Sequence, residues 1–201
     1  MNEEKTILAR ARRGELAAFE QLVAMYEKRV FAVALRSCGS PEDAADIVQE
    51  AFLRAWRAMD SFRGDSGFST WLFRITMNLC VDFARRKNAA PQTQPLVGED
   101  ESEREIPDSA PTPEERLENS ELGRELAAAL AEVSEDHRRI VLLRDVSGLS
   151  YTEIAEVLEI SEGTVKSRLS RARLALRSVL LSRGNILAGA SSKESRGGEE
   201  A

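Results

Sequence analysis

Five of the six prolines in this 201-residue chain fall between residues 88 and 113, in a stretch with few apolar side chains. Proline breaks a helix interior, and a segment without apolar residues has nothing to bury, so this stretch cannot carry a core. The chain is thereby cut into two short halves, each small enough to fold only as a compact module around its own apolar stripe. The expected organisation is a module over residues 1–88, a linker over 89–112, a second module over 113–183 and a disordered tail over 184–201.

Both halves read as helical. Apolar side chains recur at spacings of three and four, β-type alternation is nearly absent, and aromatic residues make up only 5% against 31% charged, so the expected fold class is all-α. Residues 15–38 place Leu16, Phe19, Val23, Tyr26, Val30 and Val33 on one face, and Gly39 follows as a stop signal. Ser40 and Pro41 open a second helix as cap and first-turn proline, with Asp43 three residues after the cap and an inward stripe of Val48, Phe52, Ala55, Trp56 and Met59. That stripe leaves Asp46, Gln49, Glu50 and Arg54 on the other faces. The glycine-containing segment 61–67 reads as a loop, and a third helix over about 69–87 carries Trp71, Ile75, Leu79 and Phe83, with Arg85, Arg86 and Lys87 in its last turn.

The second half opens on a capping box at Thr112 to Glu115, followed by a helix burying Leu122, Leu126, Leu130 and Val133. Ser134 caps a further helix with Ile140, Val141, Leu143 and Val146, stopped by Gly148. Residues 149–183 then hold two helical segments around a very short turn. Ser150 and Glu153 form a capping box, Ile154, Ala155 and Leu158 pack inward, Ile160 plugs the turn, Ser161 caps the next helix, and Val165 and Leu169 face the core. Lys166, Ser167, Ser170 and Arg171 are left on the outer side of that second helix, the arrangement of a helix-turn-helix that presents a recognition helix to duplex DNA.

Charge placement agrees with such a partner. The formal net charge is −6, but residues 89–121 hold ten acids against two arginines, so the rest of the chain is near +2. Residues 161–183 carry Lys166, Arg168, Arg171, Arg173, Arg177 and Arg183 against Glu162 alone, a basic face in a chain that is acidic on average. Catalysis is not expected: there is no phosphate loop, no nucleophile paired with a base and no metal cluster, and the single histidine, His137, sits in a capping turn. No cofactor, metal or small-molecule ligand is called for. Cys38 and Cys80 lack metal-ligand spacing and read as packing thiols of a reducing compartment. No stretch reaches the roughly 18 apolar residues of a membrane helix and the start lacks a signal-peptide core, so the expected location is the cytoplasm.

The segments DAADIVQEAFLRAW (43–56), SFRGDSGFSTWLFRITMN (61–78) and DFARRK (82–87) resemble region two of the extracytoplasmic-function sigma factors, and GLSYTEIAEVLEISEGTVKSRLSRAR (148–173) resembles their region four. The resemblance spans about residues 5–88 and 113–180, in the family's order. It implies a non-enzymatic promoter-reading subunit whose partners are core RNA polymerase, promoter DNA and an anti-sigma protein. It implies that Asp46, Gln49, Glu50 and Arg54 face the clamp helices of the polymerase's largest subunit. It places a flipped base of the single-stranded minus-ten element at Phe62, Arg63, Gly64, Asp65, Phe68 and Asn78, with Arg85, Arg86 and Lys87 following the phosphates. Duplex minus-35 contacts fall to Thr164, Lys166, Ser167, Arg168, Ser170, Arg171 and Arg173, and the acidic linker would thread the polymerase's RNA channel. Ser170 and Lys166 stand where some relatives carry other side chains, so promoter preference does not transfer. The competing reading is a conventional helix-turn-helix regulator, which would need a sensing domain and a dimer seam that residues 15–88 do not offer.

Overall fold

The computed structural model describes residues 2–64, 66–89 and 121–194. The expected linker and the capping box at Thr112 lie outside the described residues. Among those described, every regular element is a helix.

In the first module α1 (Asn2–Ala11) lies along α2 (Leu16–Cys38). Periodicity barely marks α1, because only Ile7 and Ala11 of it are buried. It is pinned instead by a polar contact, the Tyr26 hydroxyl donating to Glu4 at 2.7 Å. The α2 helix stops at Gly39, whose φ of 79° suits glycine and whose N–H bonds the Leu35 carbonyl at 2.8 Å. Ser40 then caps α3 (Pro41–Arg57) by accepting from the Asp43 N–H at 3.2 Å. The Ser40 hydroxyl in turn donates to the Glu42 carboxylate at 2.8 Å.

A 3-10 turn (Met59–Ser61) and a loop lead into α4 (Phe68–Ala89). Here the stripe expected from the sequence is rotated. Trp71, Ile75 and Phe83 lie at the edge of the buried face, whereas Leu72, Phe73, Thr76 and Met77 are 0–1% exposed. The reason is that α4 packs against α2 and α3 on one side and against the second module on another, so most of its circumference is apolar and no single line marks the interior. In α2 the expected face holds at Phe19, Tyr26, Val30 and Val33, all buried, and departs from expectation at the first turn, where Leu16 is 56% exposed and the fully buried leucine is Leu22.

The second module comprises α5 (Glu121–Glu132), α6 (Glu135–Val141), a π-helical turn (Leu142–Val146), α7 (Tyr151–Leu158) and α8 (Glu162–Glu194). Arg138 stitches its start: Nε donates to the Leu130 carbonyl at 2.7 Å and an amino group to that of Ala131 at 2.8 Å, satisfying two carbonyls at the end of α5. No sequence signal marks the π turn; buried Ser147 donates to the Leu143 carbonyl at 2.7 Å and closes it. The α8 helix continues to Glu194, beyond Arg183, the expected end of the module.

The two modules share one apolar core, since Leu72, Phe73 and Leu22 belong to the same buried cluster as Ile140, Leu143, Leu149 and Ile154. Polar contacts flank it. Arg29 of α2 donates to the Ser147 carbonyl while its guanidinium lies 5.7 and 5.4 Å from the Tyr26 and Phe73 ring centres. Ser69 and Thr70 at the start of α4 each donate to Glu153 of α7 at 3.4 Å.

The rotated stripe leads to a direct test. Leu22→Ala is expected to cost about 2–5 kcal/mol in urea denaturation, while Leu16→Ala changes stability by no more than about 0.5 kcal/mol. Equal costs would mean that Leu16 is buried as the periodicity suggested.

Candidate nucleic-acid interface

The helix-turn-helix is assembled by backbone groups that its own side chains satisfy. The Glu153 N–H bonds Ser150 Oγ at 3.2 Å and the Ser150 N–H bonds Glu153 Oε2 at 2.7 Å, a closed capping box at the start of α7. The chain turns at Glu159, a non-glycine residue in the left-handed region with φ 55° and ψ 45°. The Ile160 N–H then returns to the Ala155 carbonyl at 3.0 Å, and Ser161 caps α8 by accepting from the Thr164 N–H at 3.2 Å. Ile154, Val157, Val165, Leu169 and Ala172 are buried between the two helices. Val157 replaces Leu158 on the inner face, and Ile160 is half-buried.

The basic candidates on α8 separate into two groups. Lys166, Ser167, Ser170 and Arg171 form an exposed face on its N-terminal half. Arg171 is held by its Nε donating to the Ser167 carbonyl at 3.2 Å and an amino group to Ser167 Oγ at 3.3 Å, a restrained fork that suits a guanine edge. The others are committed within the protein. Arg168 pairs with Asp136 at 3.6 Å. Arg173 makes a two-pronged contact with Asp145, at 2.5 and 3.2 Å, which raises its guanidinium pKa. Thr164 serves the turn, its hydroxyl 2.8 Å from that of Ser161.

A second cleft of about 550 Å³ opens where the 61–67 loop meets α4. Arg63, Gly64 and Trp71 line it, as does Arg74, which is not among the residues expected from the sequence. Its signal is the i, i+3, i+7 spacing of Trp71, Arg74 and Asn78, which puts all three on one side of α4. Phe62 and Phe68, expected as base contacts, are 5% and 2% exposed. They pack edge to face at 6.1 Å, and Trp71 lies 4.9 Å from Phe62. Phe62 therefore lines the cleft only by a small exposed edge, Phe68 lies behind it outside the lining, and Trp71 is the less buried of the three rings. Asp65 lies outside the described residues.

Arg85, Arg86 and Lys87 are exposed at the far end of α4, with Arg85 3.8 Å from Asp82 and Lys87 5.7 Å above the Phe83 ring. Arg86 and Lys87 border a cleft whose opposite rim is Asp46 and Glu50. On the next turn Glu50 pairs with Arg54 at 2.6 Å. Gln49 borders a different groove, an apolar one between α2 and α3 walled by Phe19, Leu53 and Trp56. The expected polymerase-facing residues thus form a ridge between two grooves rather than one flat acidic face, and half-exposed Leu53 joins them.

Comparisons with known proteins agree with this two-part layout. A family model described as sigma-70 region 2 matches residues 22–90, and one described as sigma-70, region 4 matches residues 123–176. The ECF RNA polymerase sigma-E factor of Haemophilus influenzae is 34% identical over 173 residues, covering 85% of this chain and 91% of that protein. Its counterpart in Escherichia coli is 36% identical, covering 86% of this chain and 92% of that protein. Among solved structures, CnrH in complex with the cytosolic domain of CnrY matches with a TM-score of 0.67 at 31% identity, covering 89% of this chain and 97% of that one. The sigma factor RpoE in complex with the anti-sigma factor NepR from Bartonella quintana matches with a TM-score of 0.60 at 25% identity, covering 81% and 96%. The paired matches to region 2 and region 4, in that order along one chain, define a class of promoter-binding transcription initiation factors. The chain belongs to the extracytoplasmic-function group of RNA polymerase sigma factors, within the sigma-70 family. Among the described residues no helix is long and apolar enough to cross a membrane.

Glu153 serves both the capping box and the contact with α4. Burial pushes its carboxyl pKa up, but hydrogen bonds from Ser150, Thr70 and Ser69 outweigh that and hold it below the ordinary 4.5. The stability it contributes is complete above that value and is lost as pH falls through the lowered folded-state value. Glu153→Gln is therefore expected to melt below wild type at pH 7, with the gap closing below about pH 4. A gap independent of pH would show that the charge is not what the contact uses.

Proposed function

We propose that each face of this sigma factor serves one step of initiation. The α8 face of Lys166, Ser167, Ser170 and Arg171 enters the major groove of the duplex minus-35 element, where Arg171 can bond both acceptors of a guanine. Arg168, Arg173 and Thr164 hold that helix in place through Asp136, Asp145 and Ser161. The cleft at Trp71 takes an unstacked base of the minus-ten strand, with Arg63 and Arg74 lining it, Asn78 one turn further along the same side of α4, and Arg85, Arg86 and Lys87 along the phosphates. An aromatic ring with one open face and flanking cations is what single-strand capture requires. The ridge of Asp46, Gln49, Glu50 and Arg54, with the apolar groove beside it, docks on the clamp helices of core polymerase.

The observation that carries this reading is the presence in one chain of an exposed basic face on α8 and a separate cleft beside Trp71 lined by Arg63 and Arg74, the second of which a conventional regulator would leave unused. No catalytic group is required. Binding free energy gained only with separated strands shifts the DNA population toward the open form. The protein works where the polymerase is, in the cytoplasm. CnrH and RpoE are both complexed with a protein partner, named an anti-sigma factor for RpoE, and a similar inhibitory partner belongs to this reading.

Purified chain added to core polymerase on a promoter library is expected to produce specific initiation that core alone does not. Absence of any added transcript would remove the reading. Arg171→Ala is expected to weaken minus-35 duplex binding by about 1–3 kcal/mol and to relax preference at one base pair. Arg74→Ala should leave duplex binding intact while reducing open-complex formation, read with permanganate footprinting.

A further inference from the structure

The arginines in the first half of α8 are restrained in two different ways. Arg168 and Arg173 lie against carboxylates of other elements, Asp136 at 3.6 Å and Asp145 at 3.2 Å. Such a partner offsets the charge and has to be given up before the side chain can meet DNA. Arg171 is restrained by neutral groups instead. Its Nε donates to the Ser167 carbonyl at 3.2 Å and its Nη2 to the Ser167 hydroxyl at 3.3 Å. One residue thus supplies both anchors, and two bonds fix the plane of the guanidinium while its full charge is kept. The Ser167 hydroxyl is itself oriented: its proton goes to the Thr164 carbonyl at 3.1 Å, a local bond that helical serine commonly makes, which leaves its lone pairs for Arg171. Thr164 is tied in turn to the start of the helix, its N–H bonding Ser161 Oγ at 3.2 Å and its hydroxyl lying 2.8 Å from that of Ser161. Ser161, Thr164, Ser167 and Arg171 follow one another at helical spacing, so the chain of bonds runs along one side of α8 from its cap to the exposed cation.

We propose that Ser167 is a positioning residue, which touches no base itself and sets promoter choice by aiming the fork of Arg171. This rests on the assignment of the α8 face to the minus-35 duplex made above. A guanidinium carries its N–H donors in one plane. Ser167 takes the edge formed by Nε and Nη2, so the edge left facing outward is the terminal one, with one N–H from each amino group. Those two parallel donors match N7 and O6 of guanine, the one base with two neighbouring acceptors in the major groove. A fork already aimed also loses less freedom on binding than a side chain spread over many rotamers. Lys166, exposed one residue earlier, is a point charge with rotatable donors, which suits phosphates and adds affinity without choosing a base. Affinity and selectivity on this face are therefore separable, and the second depends on a hydroxyl that never meets the DNA.

The test uses the full chain assembled with core polymerase and, as probe, a pool of promoter duplexes randomised across the minus-35 element, the bound fragments being sequenced. Arg171→Ala is expected to remove a guanine preference at one base pair. Ser167→Ala, at an exposed helical position where alanine is a good helix former, lowers the preference at that same base pair by about two- to tenfold, the worth of one net hydrogen bond. It leaves the other positions and the salt dependence of binding as in wild type, since no phosphate contact is lost. Ser167→Thr keeps the hydroxyl and restores the preference. In the Arg171→Ala background, Ser167→Ala changes nothing further. A preference altered at a different base pair, or altered even without Arg171, would mean that Ser167 reads DNA itself. Binding reduced equally for every sequence would make its role structural, and an unchanged preference would make the restraint idle. Any of these three results overturns the proposal and leaves the minus-35 assignment standing. Arg171→Ala chains that select the same sequences as wild type would overturn both.

Discussion

The structure depends on a single helix being covered from two sides. One flank of α4 closes the first module against α2 and α3, and another receives α7, and Leu72, Phe73 and Met77 are dry within the cluster the two modules share. Neither half offers a large core, and short helical modules bury a smaller share of their surface than larger domains do. Sharing α4 provides both with more apolar burial than each has alone. It also sets a limit, because separating the modules re-exposes part of that surface and some other surface must replace it.

The polar groups around α4 decide how that junction behaves. Arg29 is neither a surface charge nor a buried orphan: it lies near the Tyr26 and Phe73 rings and has a carbonyl acceptor in the other module. Ser69, Thr70 and Glu153 contribute hydrogen bonds of 3.4 Å, long enough that each is weak. By contrast Cys80, buried within the same helix, has its thiol pKa pushed up by burial to about 11 and stays a packing group.

Most of the local structure is legible in the sequence because it is written in short-range chemistry. The cap at Ser40, the stop at Gly39, the Ser150/Glu153 box and the Ser161 cap are satisfied by neighbours within four residues, and such contacts do not depend on the rest of the fold. The inward face of α4 and the first turns of α2 are harder to read because they are set at long range. Leu16 and Leu22 are equally apolar, as are Trp71 and Leu72, and periodicity alone cannot choose between adjacent lines on a helix approached from two directions. Position in a motif assigns both Phe62 and Phe68 to DNA, and only the structure separates them: Phe62 reaches the cleft lining and Phe68 does not, a difference that two aromatic rings in sequence do not show.

By itself, the sequence determined that the chain is helical, that a proline-rich acidic stretch divides it, and that a basic recognition helix stands near its end, because each follows from composition and from contacts spanning a turn or two. Only the tertiary structure decided which cations face outward and which are held: Arg173 by Asp145, Arg168 by Asp136, while Arg171 and Arg74 face solvent. It alone brought Glu156 and Glu159 to the mouth of a cleft built from residues 61–74. Charge pairing and cleft walls arise from through-space distances between residues far apart in sequence, and no local pattern encodes those.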